Sequence, residues 1–293
     1  MSESFTVTRK TIDSSDPRLG RHVNHDSRSR AFAFRAPVAV TYKSVLHERY
    51  IPILDQGDLG SCTGNAATGH IGTGDFYAPA VALHPTFSGD ETEALALYSK
   101  ATELDGYSGT YPPNDTGSDG LSVAKAAKQA GFISGYLHTF SFDDFMAAVQ
   151  KQPVIVGVNW YSNMFNPDGR GLVTIPKGDT VEGGHEFVIR GYDDPTGELL
   201  ADNSWGTGWG AAGSFRLDSA TMKRLLSEDG DCTMFVPLTS SPPVPDPVTP
   251  VPSGADAALV TAGNAWEKSI LSKISKAGKL RSAFDNWKAA NGY

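Results

Sequence analysis

The character of the chain changes at Pro153. Before it, apolar residues recur at helical spacing. Residues 91–102 place Leu95 and Tyr98 on one side of a helix, a second helix over 121–130 starts at a Ser118 or Asp119 cap and stops at Gly131, and a third over 142–151 starts at Ser141. After Pro153 the pattern is that of strands. Residues 154–158 are a continuous apolar run, 186–192, 199–202 and 214–217 follow, and Asp194-Pro195-Thr196-Gly197 and Ala211-Ala212-Gly213 are turns. Helices first and strands second predict an α+β domain of two lobes, one helical and one an antiparallel β-sheet.

That domain spans 46–238 of the 293 residues. Ahead of it, 1–45 is polar and mixed in charge, with a turn at Ser14-Ser15-Asp16-Pro17, and reads as an extended arm; Phe32 and Phe34 alternate with alanine and suggest a short strand or strap over 31–40. Behind it, 239–254 contains six prolines and reads as a polyproline-like linker reaching up to ~45 Å. Residues 255–293 then place Leu259, Trp266, Ile270, Ile274, Leu280, Phe284 and Trp287 on one helical face. Within 264–293 six basic residues stand against Glu267 and Asp285, a net of +4, so the formal charge of -8 leaves -12 for the rest. A basic amphipathic helix at 264–293 is expected to dock to a partner protein or an anionic surface, or to pack back on its own domain or a second copy.

Composition narrows the function. A net charge of -8 does not suit a general binder of nucleic acid, which needs clustered Lys and Arg against phosphates. The sequence has no signal-like start and no apolar run long enough for a transmembrane span, so the expected location is the cytoplasm at synthesis. Cys62 and Cys232 are the only cysteines, too few for a disulfide framework or a cysteine-rich metal site, and both are expected as free thiols. His22 and His25 lack further ligand spacing and read as solvated surface residues. No metal and no cofactor is expected.

Chemistry concentrates in three glycine-punctuated stretches. The first is Asp55-Gln56-Gly57-Asp58-Leu59-Gly60-Ser61-Cys62, leading into a segment over 62–76 that begins with a helix, which Ser61 is expected to cap, with Cys62 at its positive end. Gly64, Gly69, Gly72 and Gly74 make that helix intrinsically weak, so packing must hold it. The others are Gly183-Gly184-His185-Glu186 and Asn203-Ser204-Trp205-Gly206-Thr207-Gly208-Trp209-Gly210. Taken singly, each of Gln56, Cys62, His185 and Asn203 has a plain structural reading, as loop residue, small hydrophobe, strand histidine and turn former. As an ordered set they read as a nucleophilic site. A turn-rich loop over 105–120, with Gly117 near its end, is long enough to suspect a part in binding.

In this order and spacing the residues resemble the papain-like cysteine peptidases. His185 follows Cys62 by 185 − 62 = 123 residues and Asn203 by 203 − 62 = 141, beside the ~130 to 150 of that family. The resemblance runs from about Leu46 to Leu238. It implies a two-lobed fold and a cysteine endopeptidase acting on a peptide or protein substrate: Cys62 as thiolate nucleophile, His185 as acid and base, Asn203 orienting the imidazole under Trp205, and Gln56 with the Cys62 backbone N–H as oxyanion hole. In the family the Cys–His pair lowers the thiol pKa to about 3 to 4. Gly184, Glu186, Trp205 and Gly117 are the expected substrate-binding residues. Glu186 stands where the family usually has a small residue, at the subsite for the substrate residue two before the cut, which implies a preference there for a basic side chain; the alternative is an internal pair with Arg190 or Arg170. Leu59 replaces the cysteine of the secreted pattern and Thr63 the aromatic, which suits a reduced, bacterial or phage-like branch. The long helical pro-region of secreted zymogens is missing, which argues against activation by its cleavage. Two alternatives keep the same scaffold: a structural or binding protein, as in a phage particle, and an acyl transferase or cell-wall peptide hydrolase using the same site.

Overall fold

The computed structural model describes residues 8–9, 16–37 and 41–238. The linker expected over 239–254 and the helix over 255–293 lie outside the described residues.

Two long strands set the frame. Strand β3 (Val154–Tyr161) pairs antiparallel with β4 (Val181–Asp193), Val154 opposite Ile189 and Val158 opposite His185. Side chains alternate across a strand, so each of these serves two cores at once. Val154, Val156, Val158 and Trp160 join Phe187, Ile189, Leu199, Ala201, Phe215 and Leu217 on one face, while Ile155 and Val188 face the helices on the other. Around them stand β1 (Val45–Leu46), β2 (Gly135–His138), β5 (Glu198–Asp202), β6 (Ser214–Asp218) and β7 (Asp231–Val236), in the order β2-β7-β3-β4-β5-β6 with β1 on β4. All pairs in this sheet are antiparallel.

The helical lobe is α1 (Cys62–Ile71), α2 (Tyr77–Leu83), α3 (Glu91–Leu104) and α4 (Gly120–Gln129); α5 (Phe142–Val149) and α6 (Ser219–Ser227) lie in the sheet lobe's part of the chain. The expected α+β division is therefore present. Asp119 rather than Ser118 caps α4, accepting from Ser122 N at 2.9 Å, and Ser141 caps α5 through Asp144 N at 3.1 Å. Packing holds the glycine-rich α1: a Cβ on Gly64 would stand 2.2 Å from the Ala94 carbonyl oxygen and 2.8 Å from Tyr98 Cβ, so α1 and α3 touch backbone to backbone.

Several boundaries differ from expectation. Helix α1 opens the 62–76 segment as expected and ends at Ile71, but Ser61 makes no side-chain cap; its hydroxyl takes a hydrogen bond from Asn65 Nδ2 at 3.2 Å. Helix α2 was hidden by Pro79, which sits in a first turn where no amide has an intrahelical acceptor to lose. Of residues 31–40, the described 31–37 form a strap in place of a strand: Ser27–Phe32 is a 3-10 turn, and Phe34 N then donates to the His138 carbonyl at 2.8 Å. Strands β2 and β7 and helix α6 have no counterpart in the sequence reading, and β7 lies between β2 and β3 in the sheet.

The α1–α3 contact sets a test. Alanine is a better helix former than glycine, yet Gly64→Ala forces its methyl into α3, so overlap outweighs propensity and the urea unfolding midpoint should fall by the equivalent of about 1–3 kcal/mol.

Candidate active site

Cys62 opens α1 and His185 lies on β4, on elements that pack together through contacts such as Gly69 against Val188. The backbone amides of Thr63, Glu186 and Gly20 point at the Cys62 sulfur. Because the Glu186 amide is the next peptide after His185, the thiol lies beside the backbone that carries the imidazole, with no hydrogen bond from the sulfur to His185 Nδ1 among the described residues. His185 Nε2–H donates to Asn203 Oδ1 at 2.7 Å, while Nδ1 has no hydrogen-bond partner among the described residues. The Trp205 ring lies 4.8 Å from the imidazole and Trp160 4.9 Å, so the His185–Asn203 bond is sealed in aromatic surroundings.

Gln56 is fixed from both sides. Its backbone N donates to the Ser204 carbonyl at 2.9 Å, and Ser204 Oγ donates to Gln56 Oε1 at 2.6 Å, so the Gln56 turn and the Asn203 loop hold each other. The Gln56 side-chain N–H groups then face the Leu59 carbonyl at 2.6 Å and the Arg18 carbonyl at 3.1 Å. Below, the buried Asp115 accepts from Gly60 N at 3.0 Å and Tyr98 Oη at 2.6 Å, and that hydroxyl accepts from Gly117 N at 2.9 Å. This network ties the nucleophile turn to the 105–120 loop and had no signature in the sequence.

Residues 16–22 of the arm run through the cleft. Arg21 N donates to the Gly184 carbonyl at 3.0 Å, His22 N to Ser118 O at 2.8 Å, and Ser118 N to Gly20 O at 2.9 Å. The approach is close enough that a Cβ on Gly184 would stand 2.2 Å from Arg21 O, and one on Gly117 2.1 Å from Gly20 O. Leu19 is fully buried in the sheet-lobe core, and the Arg18 guanidinium sits 4.2 Å over the Trp205 ring. Gly117, Gly184, Glu186 and Trp205, the four expected substrate-binding residues, thus all face this segment, with Glu186 opposite Arg21. Arg18, Leu19 and Arg21 were not singled out from sequence; the only signal was an apolar residue among arginines just after the Pro17 turn.

Occupation by the arm changes the electrostatics expected for the pair. Burial and the nearby Glu186 charge push the Cys62 thiol up to about 12, against the pull of its three amides. Burial pushes the His185 imidazole down to about 4, against the Asn203 hydrogen bond. Both groups are therefore neutral at pH 7, where the sequence reading expected a thiolate: with water excluded, neither charged form is solvated. Glu186 does not pair with Arg190 or Arg170 either. Arg190 Nε lies 2.8 Å from Asp202, and Arg170 lies 3.5 Å from Glu198. Cys232 is a second buried free thiol, on β7. No group of three or more His, Cys, Asp or Glu among the described residues could hold a metal ion.

Residues 88–232 match the sequence model of the papain family cysteine protease. The chain carries a papain family cysteine protease domain. The matched segment includes His185, Glu186, Asn203 and Trp205 and begins after Gln56 and Cys62. The fold of the papain family domain is similar to that of xylellain, a cysteine protease from Xylella fastidiosa, at 20% identity and a TM-score of 0.57, covering 80% of this chain and 100% of that one. It is also similar to procathepsin B S9 from Trypanosoma congolense, at 11% identity and a TM-score of 0.54, covering 77% and 89%. No curated protein matches the sequence. No described helix of the domain is long and apolar enough to cross a membrane.

The shielded thiol gives a pH-dependent expectation. With its pKa near 12, Cys62 carries little thiolate at neutral pH, so its alkylation by iodoacetamide should climb about tenfold per pH unit from pH 6 to 10 without a plateau. Leu19→Asp places a charge in the apolar core seat and should drive the arm off, giving a plateau at lower pH; a plateau near neutrality in the unaltered chain would contradict the shielding.

Proposed function

We propose that the domain is a cysteine endopeptidase that works through a thioester on Cys62, and that its cleft is occupied in this form by its own arm. The observation that carries the reading is the position of the Arg18 carbonyl. A peptide carbonyl accepts from the Gln56 side-chain amide while lying beside the His185 ring, and the next residues bring the Gly20 amide to the Cys62 sulfur. A substrate carbonyl in that place would meet a nucleophile, a base and a hydrogen-bond donor together.

The steps follow from the groups. His185 holds a proton on Nε2 through Asn203, so Nδ1 presents a lone pair to take the thiol proton. The sulfur then bonds to the carbonyl carbon, and the developing oxyanion is met by the Gln56 amide and the Cys62 backbone N–H. When the C–N bond breaks, the departing amine takes the proton from His185 Nδ1, leaving a thioester. Water, deprotonated by the same nitrogen, attacks that thioester and releases the acid and the thiol. Asn203 keeps the ring oriented without adding charge, and the Trp205 and Trp160 rings keep water from competing for its bond.

One observation favours a second reading. Because the cleft is filled and both groups are neutral, the chain in this state has the properties of a binding protein on a peptidase scaffold. Labelling by a thiol-directed peptide epoxide separates the two. Under reducing conditions the full chain carrying Leu19→Asp should label and hydrolyse peptides, and Cys62→Ala should do neither. Gln56→Ala should lower kcat by about 10²–10³ with the thiol still reactive toward iodoacetamide. Absence of any Cys62-dependent labelling in the Leu19→Asp chain would leave the binding protein as the better account.

A further inference from the structure

The arm sends one side chain into a pocket that the proposed reaction does not use. The Arg21 side chain is 0% exposed; its Nη2 meets the Asp231 carboxylate and donates to the Asp229 carbonyl at 2.6 Å. Facing it is Glu186, also 0% exposed, and neither of its carboxylate oxygens has a hydrogen-bond partner among the described residues. Arg21 Nε and Nη1 are likewise without acceptors. Two glycines form the floor. A Cβ on Gly120 would lie 2.9 Å from Glu186 Oε1 and 3.0 Å from Asp231 Oδ1, and one on Gly157 would lie 2.7 Å from Arg21 Nε and 2.9 Å from Asp231 Oδ2. Both carboxylates therefore converge over Gly120, and the guanidinium rests over Gly157.

A buried carboxylate without a hydrogen bond is costly, and two side by side repel: burial and the Asp231 charge push the Glu186 carboxyl up, and its ionised form is held only with a cation between the two. Arg21 fills that need incompletely. It leaves two donors and two acceptors unmatched in one pocket, so a guanidinium entering at another angle could pair with Glu186 as well as Asp231. The pocket is also placed for a substrate: Glu186 directly follows His185, and the peptide that fills the pocket is held by the Gly184 carbonyl directly before it.

We propose that Glu186 and Asp231 form the receptor for a basic side chain, arginine above lysine, of the peptide substrate, and that Arg21 is its intramolecular occupant, so that arm and substrate compete for one pocket. The proposal rests on the reading of the cleft as a peptidase site. It gives the basic preference expected at Glu186 a pocket, and adds the second carboxylate Asp231 and the role of Arg21. Arginine is favoured because its planar fork can satisfy Asp231, the Asp229 carbonyl and Glu186 together, where an ammonium offers three donors from a single atom.

The test uses the full chain and a fluorogenic peptide series differing at one position: arginine, lysine, citrulline or norleucine. Citrulline has the shape of arginine without its charge. The arginine peptide should exceed the citrulline peptide in kcat/KM by about 10- to 100-fold. In Glu186→Gln and in Asp231→Asn, whose folding is checked by the thermal midpoint, that ratio should fall toward one. Arg21→Ala should lower KM for the arginine peptide by vacating the pocket. Equal rates for the arginine and citrulline peptides in the unaltered chain and in Arg21→Ala would overturn the proposal. If no peptide is hydrolysed by either or by the Leu19→Asp chain, the peptidase reading fails separately, and the pocket is read by protection of Cys62 from iodoacetamide in Arg21→Ala. Protection by the arginine peptide at lower concentration than by the citrulline peptide then supports the pocket, and equal protection overturns it.

Discussion

The cleft depends on how closely helix α1 can approach its neighbours. Gly64 lets α3 come to backbone contact, and Gly69 leaves little more than van der Waals space to Val188 on β4. Cα-to-backbone packing of this kind makes up for the low helix propensity of the two glycines within α1, and it brings the first residue of α1 to the peptide that follows His185. Larger side chains at these positions would move the sulfur away from the peptide that follows His185, so one packing constraint stands behind both the fold and the site.

Dryness is the second determinant. The arm adds Leu19 to the sheet-lobe core, a burial contributing about 1.5–3 kcal/mol, and it covers thiol and imidazole so that neither charged form has water to stabilise it. The same groups in an open cleft would have solvent, a helix N-terminus and each other to support charge separation. Activity is thus a property of the cleft's occupant as much as of its residues. A pro-region of the long helical kind has a periodic pattern that residues 1–45 do not show. The segment that fills the cleft here is short and irregular, with its strength in one apolar plug, one arginine and a few backbone bonds to Ser118 and Gly184.

The sequence by itself determined what local periodicity and short motifs encode: helices 91–104, 120–129 and 142–149 with their Asp and Ser caps, the strands after Pro153, and the ordered Gln56, Cys62, His185 and Asn203. Gly117, Gly184 and Glu186 were expected from the family resemblance alone, and the close approach of the arm to both glycines appears only in the folded chain. Tertiary structure decided what depends on partners far along the chain. Strand β7 reads as nothing in particular until β2 and β3 flank it, and with it Asp231 comes to face Glu186. Asp115, Tyr98 and Ser204 acquire their roles only through hydrogen bonds to residues 17 to 148 positions away. The protonation state of Cys62 and His185 was beyond any motif, because it is set by burial, and burial is produced here by a segment some 40 residues earlier that no periodicity marks as part of the site.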